Sequence, residues 1–335
     1  MARQVETPQS ESRNRRLRLP AVVTRIAQAR ESGIILFLLA LCVLIGIVNP
    51  IFLSAENLAN ILRTTSFIFL IAIAMTFVLI SGGLDLSVAS VFALGGVVAS
   101  MAVTQGWGVV LSVLAGLAVG LVVGVVNGLL VIKFNIPSLI VTLGTMYMVR
   151  GVVLILTQGV AIYPLTPEFD TLGQGDLLGI PYVILISVVL AIIAHVVLNY
   201  TAYGRSIYAI GGNEETSRLA GISTKFLKGS VYVLTGLAAA LSGLIMAGRL
   251  NSAQPNVGSG YELLVIAGVI IGGTSLFGGA GTILGTAAGT LLTAVIANGI
   301  VLMKISAYWQ NLVIGAVIIL AVGLDQFRRK RSGLL

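Results

Sequence analysis

The sequence predicts an all-α, polytopic membrane protein, and three observations carry that prediction. Of 335 residues, 57% are hydrophobic and only 10% are charged, against ~25% charged in an average soluble domain. Apolar runs of about 20 residues, enough to cross a ~30 Å hydrocarbon core, recur along nearly the whole chain and leave no separate soluble domain. The basic residues sit at the ends of those runs and not in a stripe interleaved with aromatics. The net charge of +8 therefore reads as a topology signal and not as a nucleic-acid surface.

Taken in order, residues 1–30 form a tail with seven arginines, able to touch anionic lipid. The run Ile34 to Leu53 is long enough to span, and no small-x-small cleavage site follows it, so a retained first helix is expected and not a signal peptide. Cys42, inside this run, is the only cysteine, which excludes an intrachain disulfide and any CxxC site. Further spans are expected at 64–80, 88–104, 108–132, 138–157, 180–200, 229–248, 262–275, 282–303 and 308–324, ten in all. The membrane domain is thus 31–325, followed by a second basic tail at 326–335.

Ten spans put both termini on one side, and charge decides which. With the N-terminus inside, the inner segments hold the seven tail arginines, Lys133, Arg205, Arg218, Lys225, Lys228, Arg328, Arg329, Lys330 and Arg331. The outer segments hold only Arg63, Arg249 and Lys304, while Arg150 falls inside the fifth span. By the positive-inside rule both termini are cytoplasmic. Two long loops then lie on opposite faces: 158–179 outside, with acids and no Lys or Arg, and 201–228 inside.

NGLLVIK (Asn127–Lys133) and NGIVLMK (Asn298–Lys304) share Asn, Gly and Lys at an offset of 171. Two readings are open: chance likeness among apolar helices, or two five-helix halves of inverted orientation. The 40 glycines, as in GLAVGLVVG (Gly116–Gly124) and GTILGTAAG (Gly281–Gly289), read as close helix packing in lipid.

Enzyme chemistry finds little support: there is no HExxH, GxSxG or GxxxxGK[ST], and the one histidine, His195, reads as packed or interfacial. No catalytic residue and no metal site is expected. A transporter without a phosphate loop is ion-driven, passive or powered by a separate subunit. Few ionisable groups fall within the spans, which argues against a proton or sodium relay. Arg150 is the one deep charge and should face the bundle interior or water. In SGGLDLSV, Gly82 and Gly83 end the second span and Asp85 precedes the third; the acid reads either as a helix N-cap or as part of an inner gate. In the inner loop, Gly211 and Gly212 break the chain, Asn213 is a good N-cap, Glu214 and Glu215 suit a first turn, and Arg218 to Gly221 suit an end. That spells a short polar helix, either lying on the membrane surface or docking a partner.

SGGLDLSV, NIPSLIVTLGTMYMVRG, YGRSIYAIGGNEETSRLAGI and SAQPNVGSGYELLVIAGVIIGGTSLFGGAGTILGT resemble the permease subunits of bacterial ABC importers for ribose and related monosaccharides, over roughly residues 34–328. The resemblance implies a ten-helix permease of the inner membrane, similar in fold to the cobalamin importer. It implies a second permease chain, two ATPase subunits that carry ATP and Mg, and an extracytoplasmic sugar-binding protein. This chain itself would hold no cofactor. Gly211, Gly212, Asn213, Glu214, Glu215, Thr216, Ser217, Arg218, Leu219, Ala220 and Gly221 would form the coupling helix that enters a cleft on the ATPase. Gly82, Gly83 and Asp85 would belong to an inner glycine–acid motif, and Tyr261 and Glu262 to the outer end of the eighth span; with Ser87 and Arg150 these are the pathway or gate candidates. Ala89 departs from the motif, which commonly has Gly there. Permeases for autoinducers are close relatives of this family and those for branched-chain amino acids distant ones. An ion-coupled carrier or channel is the alternative of a different class, separable by whether neighbouring genes encode an ATPase and a secreted binding protein.

Overall fold

The computed structural model describes residues 32–306 and scattered positions between 309 and 326; both basic tails and about half of the tenth expected span lie outside the described residues. Those positions that are described between 309 and 326 are helical.

Helix α1 (Ser32–Val48) ends in a tight turn, Pro50–Leu53, held by Asn49, whose side chain accepts from Ile51 N at 3.1 Å and donates to Leu302 O at 3.0 Å. Ser54 starts α2 (Ala55–Ile80) by accepting from Asn57 N at 3.3 Å. Next come α3 (Val88–Thr104), α4 (Gly108–Lys133) and α5 (Ser138–Thr157). The loop expected at 158–179 is not open chain: Thr166 caps α6 (Pro167–Gln174), and a small hairpin pairs β1 (Asp176–Leu177) with β2 (Ile180–Pro181). Then follow α7 (Tyr182–Tyr200), α8 (Ala202–Gly212), α9 (Glu214–Leu219), α10 (Thr224–Leu250), α11 (Tyr261–Ile271) and α12 (Ile283–Leu302).

Four expected spans need correction. The first stops at Val48 and not Leu53, and the seventh starts at Thr224 and not Gly229, so that Lys225 and Lys228 lie inside a helix. The second and eighth differ more. The second begins nine residues early, at Ala55, because Ser54 supplies a cap, so Arg63 lies inside a helix and not in an outer segment. The eighth, expected at 262–275, stops at Ile271. Eleven residues rise only ~16 Å and cannot cross the hydrocarbon alone. Irregular chain at 251–260 and 272–282 flanks this helix, with amides paired inside the protein: Gly279 N donates to Ile80 O at 2.8 Å, and Ala253 exchanges bonds with Ile162 at 3.0 Å each way. Irregular backbone is tolerated at membrane depth when it is buried in protein in this way. Among the described residues, α2, α4, α5, α7, α10 and α12 are long and apolar enough to span by themselves.

The core is built on α2, α3 and α10, where Phe67, Ile71, Met75, Phe92, Val231 and Leu244 are sealed. Around them α4, α5 and α7 turn apolar side chains outward, with Leu111, Ile155 and Ile192 57%, 77% and 60% exposed; contiguous apolar surface of this kind suits lipid. Glycine lets the inner helices touch. A Cβ at Gly120 of α4 or at Gly236 of α10 would each strike the other's carbonyl oxygen. Close packing is therefore what the Gly116–Gly124 stripe does.

Adding 171 to a residue number carries α2 onto α10, α3 onto α11 and α4 onto α12, and the packing respects the exchange. Helix α10 lies against α3 and α4, as α2 lies against α11 and α12; α3 packs on α4 as α11 packs on α12. The equivalent helices α2 and α10 run antiparallel. Ser242 Oγ donates to Phe67 O at 2.7 Å midway along α2, while past the C-terminal end of α2 a Cβ on Gly83 would sit 2.6 Å from the earlier-numbered Tyr232 Oη. Two halves of inverted orientation account for both facts, and chance likeness for neither.

Candidate functional site

Thr201 opens α8 by accepting from Gly204 N at 3.2 Å. The sequence expects Gly211 and Gly212 to break the chain, yet both are helical, and the break falls at Asn213, whose backbone is extended. Asn213 then caps α9 as expected, its side chain accepting from Thr216 N at 2.8 Å, and Gly221 closes the segment at φ +83°. On α9, Arg218 pairs with Glu215 at 2.5 Å and Lys228 reaches back to Glu214 at 2.7 Å. The Arg218 hydrogen bond holds the exposed Glu215 carboxyl below the usual carboxylate range. Such exposed pairs add little stability but fix the charge pattern of the surface. Ser217 turns inward, bonding Asn213 O at 2.8 Å, while Leu219 is 75% exposed at the tip.

Glycine is needed at 211 for packing and not for breaking the helix. A Cβ there would strike Ile80 O at the end of α2 and the amide nitrogen of Gly279. A Cβ on Gly278 would lie 2.8 Å from Gly211 O and 3.1 Å from Gly82 Cα. Tyr208 of α8 adds a bond from its hydroxyl to Gly281 O at 2.6 Å. Three turns, 81–83, 211–212 and 278–281, thus meet at the end of α2, and the root of α9 rests directly on them. Sequence reasoning did not single out the 278–281 turn; its run of glycines beside GTILGT was the available signal.

Asp85 is 1% exposed. Its carboxylate accepts from Ser87 N at 2.9 Å and from Ser87 Oγ at 2.6 Å, and Ser87 Oγ in turn accepts from Asn127 Nδ2 of α4 at 2.9 Å. The residue at the N-cap position of α3 is Ser87, so the acid shapes the turn one step ahead of the helix and does not cap it. Leu84 N donates to Ser138 Oγ at 3.2 Å, which ties the same turn to α5.

Arg150, Tyr261 and Glu262 gather around the 251–260 segment. The Arg150 guanidinium donates to Pro255 O at 2.6 Å, with longer contacts to Val257 O at 3.5 Å and Ala89 O at 3.4 Å. It faces the bundle interior, as its insertion cost demands, and its partners are carbonyls, which no side-chain pattern in the sequence could reveal. Tyr261 packs on Phe92, ring centroids 5.4 Å apart. Among the described residues, His195 meets Asn199 and Tyr200 of its own helix.

A bundle with a lipid-facing apolar ring, buried irregular segments and a charged helix seated on its internal turns defines a multi-spanning membrane permease. The chain belongs to the family described as the permease component of the branched-chain amino acid transport system, whose profile matches residues 57–322. It is 40% identical over 330 residues to the ribose import permease protein of Bacillus subtilis, covering 98% of this chain and 100% of that one. It is 43% identical over 295 residues to the ribose import permease protein of Escherichia coli K12, covering 86% and 92%. The L-arabinose transport system permease protein of the same strain is 38% identical over 300 residues, covering 90% and 92%. No solved structure matches, so the expected likeness to the cobalamin importer rests on the sequence resemblance alone.

Proposed function

We propose that this chain is the membrane-spanning subunit of an ATP-driven importer that admits a monosaccharide such as ribose. Relatives named for ribose and for L-arabinose match it over nearly their whole length, which favours a sugar over an amino acid, an autoinducer or an ion-coupled cargo. In this reading both termini face the cytoplasm and a second permease chain completes the pathway. An extracytoplasmic binding protein delivers the sugar, and two ATPase subunits hold the nucleotide and its Mg. Helix α9 is the part those subunits grip. The observation that carries the mechanism is the seat of Gly211 on Ile80 and Gly279. A push on α9 reaches the ends of α2 and α3, where Gly82, Gly83, Asp85 and Ser87 form the inner gate, without passing through any flexible side chain.

Replacing Glu214 and Glu215 by lysine tests the docking surface. The change breaks the Glu214–Lys228 and Glu215–Arg218 pairs and sets positive charge against the helix N-terminus. These groups are too exposed to hold the fold, so insertion into the membrane survives while co-purification with the ATPase falls at least ~10-fold. Normal co-purification and uptake, with no cross-link to the ATPase from a cysteine at Leu219 in a Cys42→Ala background, would show that the partner binds elsewhere.

A further inference from the structure

The inverted halves provide an internal control, because a feature present in one half and missing from its mate has been built for something other than the fold. One cavity meets that test. It has a volume of about 320 Å³ and lies between the half of α2 remote from Ile80, the start of α11, the end of α12 and Gln310. That size is within the ~300–1,000 Å³ of small-molecule sites. Its polar lining includes Asn60, Thr64, Tyr261, Thr293, Asn298 and Gln310. In the mate the helices close up, a Cβ on Gly124 lying 2.6 Å from Tyr232 O and one on Gly95 2.8 Å from Ala240 Cβ, and the equivalents of Thr293 and Gln310, Val122 and Leu139, are exposed and apolar. At the equivalent positions Asn60 becomes Val231, Thr293 becomes Val122, Gln310 becomes Leu139 and Tyr261 becomes Ser90. Only Thr64 and Asn298 keep their type, as Thr235 and Asn127. Polar side chains thus stand where the fold, repeated, uses apolar or small ones.

We infer that this cavity is a monosaccharide subsite of the permease itself. The inference rests on the sugar reading above and adds where the sugar stops inside the chain. The chemistry matches on three counts. Among the described residues, the side chains of Asn60 and Thr64, both exposed, and of Gln310 make no hydrogen bond to a protein group, which leaves amides and a hydroxyl for a ligand's hydroxyls. Asn298 is held in place by a reciprocal amide pair with Asn57, at 3.1 and 2.9 Å, so its orientation is fixed before a ligand arrives. No charged residue lines the cavity. A zwitterionic amino acid would have to leave water without a counter-charge, whereas a neutral polyol exchanges hydrogen bonds and lays its C–H face on Ile68 and Leu264. A second cavity of about 470 Å³, over Glu56, Asn57 and Arg63, also has Asn60 in its wall, so the two meet at one side chain. A sugar passing from one cavity to the other would touch that side chain.

The test gives the cavity its mate's residues. In the whole transporter, Asn60→Val, Thr293→Val and Gln310→Leu together lower uptake of radiolabelled ribose and arabinose by at least ~10-fold, since each lost partner leaves a sugar hydroxyl unpaired. Co-purification with the ATPase verifies that the variant assembles. Independently, Thr64→Cys in a Cys42→Ala background is labelled by a soluble thiol reagent more slowly when either sugar is present at saturation, and leucine gives no protection. Uptake within twofold of the parent in the assembled triple variant, or labelling that neither sugar slows although the parent transports it, overturns the subsite and leaves the sugar reading standing. Protection by leucine, in a parent that takes up neither sugar, overturns both.

Discussion

Replacing Gly211 by alanine abolishes sugar uptake while the protein still reaches the membrane. The added methyl meets Ile80 O and Gly279 N, and both are backbone atoms. A crowded side chain can rotate away; a carbonyl at the end of a buried helix cannot. Either α8 lifts off α2 or the Gly279–Ile80 hydrogen bond, now 2.8 Å, is broken. Overpacking of this kind costs ~1–3 kcal/mol or more, too little to unfold a bundle whose core rests on α2, α3 and α10. It is enough to unseat the root of α9. The neighbour supplies the control: a Cβ on Gly212 meets nothing within 4 Å, so Gly212→Ala transports normally. Uptake and membrane insertion measured side by side for the two variants check this, and equal uptake would show that the contact transmits nothing.

Arg150→Leu should destabilise the protein and stop uptake. The guanidinium holds Pro255 O at 2.6 Å and reaches Val257 O and Ala89 O, so one side chain pins the 251–260 segment to the start of α3. Removing it leaves the part-buried Pro255 carbonyl without this donor, at ~1–3 kcal/mol. Arg150→Lys does not rescue, because a single ammonium cannot present the two nitrogens that serve Pro255 and Ala89 separately. Thermal unfolding in detergent reads the first effect, as a midpoint several degrees lower. A leucine variant with parental stability and uptake would mean that the segment holds itself in place.

What the sequence disclosed follows from where the information is local. Apolar runs and their flanking charges are local, so α3, α4 and α5 fall within a residue of expectation. The cap at Asn213 and the stop at Gly221 are local too. The early start of α2 was hidden because Ser54 lies ten residues ahead of the uncharged stretch, in a segment whose Glu56 and Arg63 read as loop. Helix α11 was overextended because the buried turn beyond Gly272 is as apolar and glycine-rich as a helix in lipid. Contacts across the bundle were out of reach altogether: nothing in YGRSIYAIGG says that Gly211 touches Ile80, and carbonyl partners such as those of Arg150 leave no trace in side-chain identity. The half-repeat lay between these cases. Seven residues of likeness at an offset of 171 could not exclude coincidence, and the exchange of packing partners could.

The most direct test of ATP-driven, partner-coupled sugar import is reconstitution of the chain in sealed vesicles, with accumulation of labelled ribose measured with and without the ATPase, the binding protein and ATP. Alone, under an imposed proton or sodium gradient, the chain should accumulate none; with all partners and ATP it should concentrate the sugar, and the Glu214→Lys, Glu215→Lys variant should not. Accumulation by the isolated chain driven by an ion gradient would contradict the account.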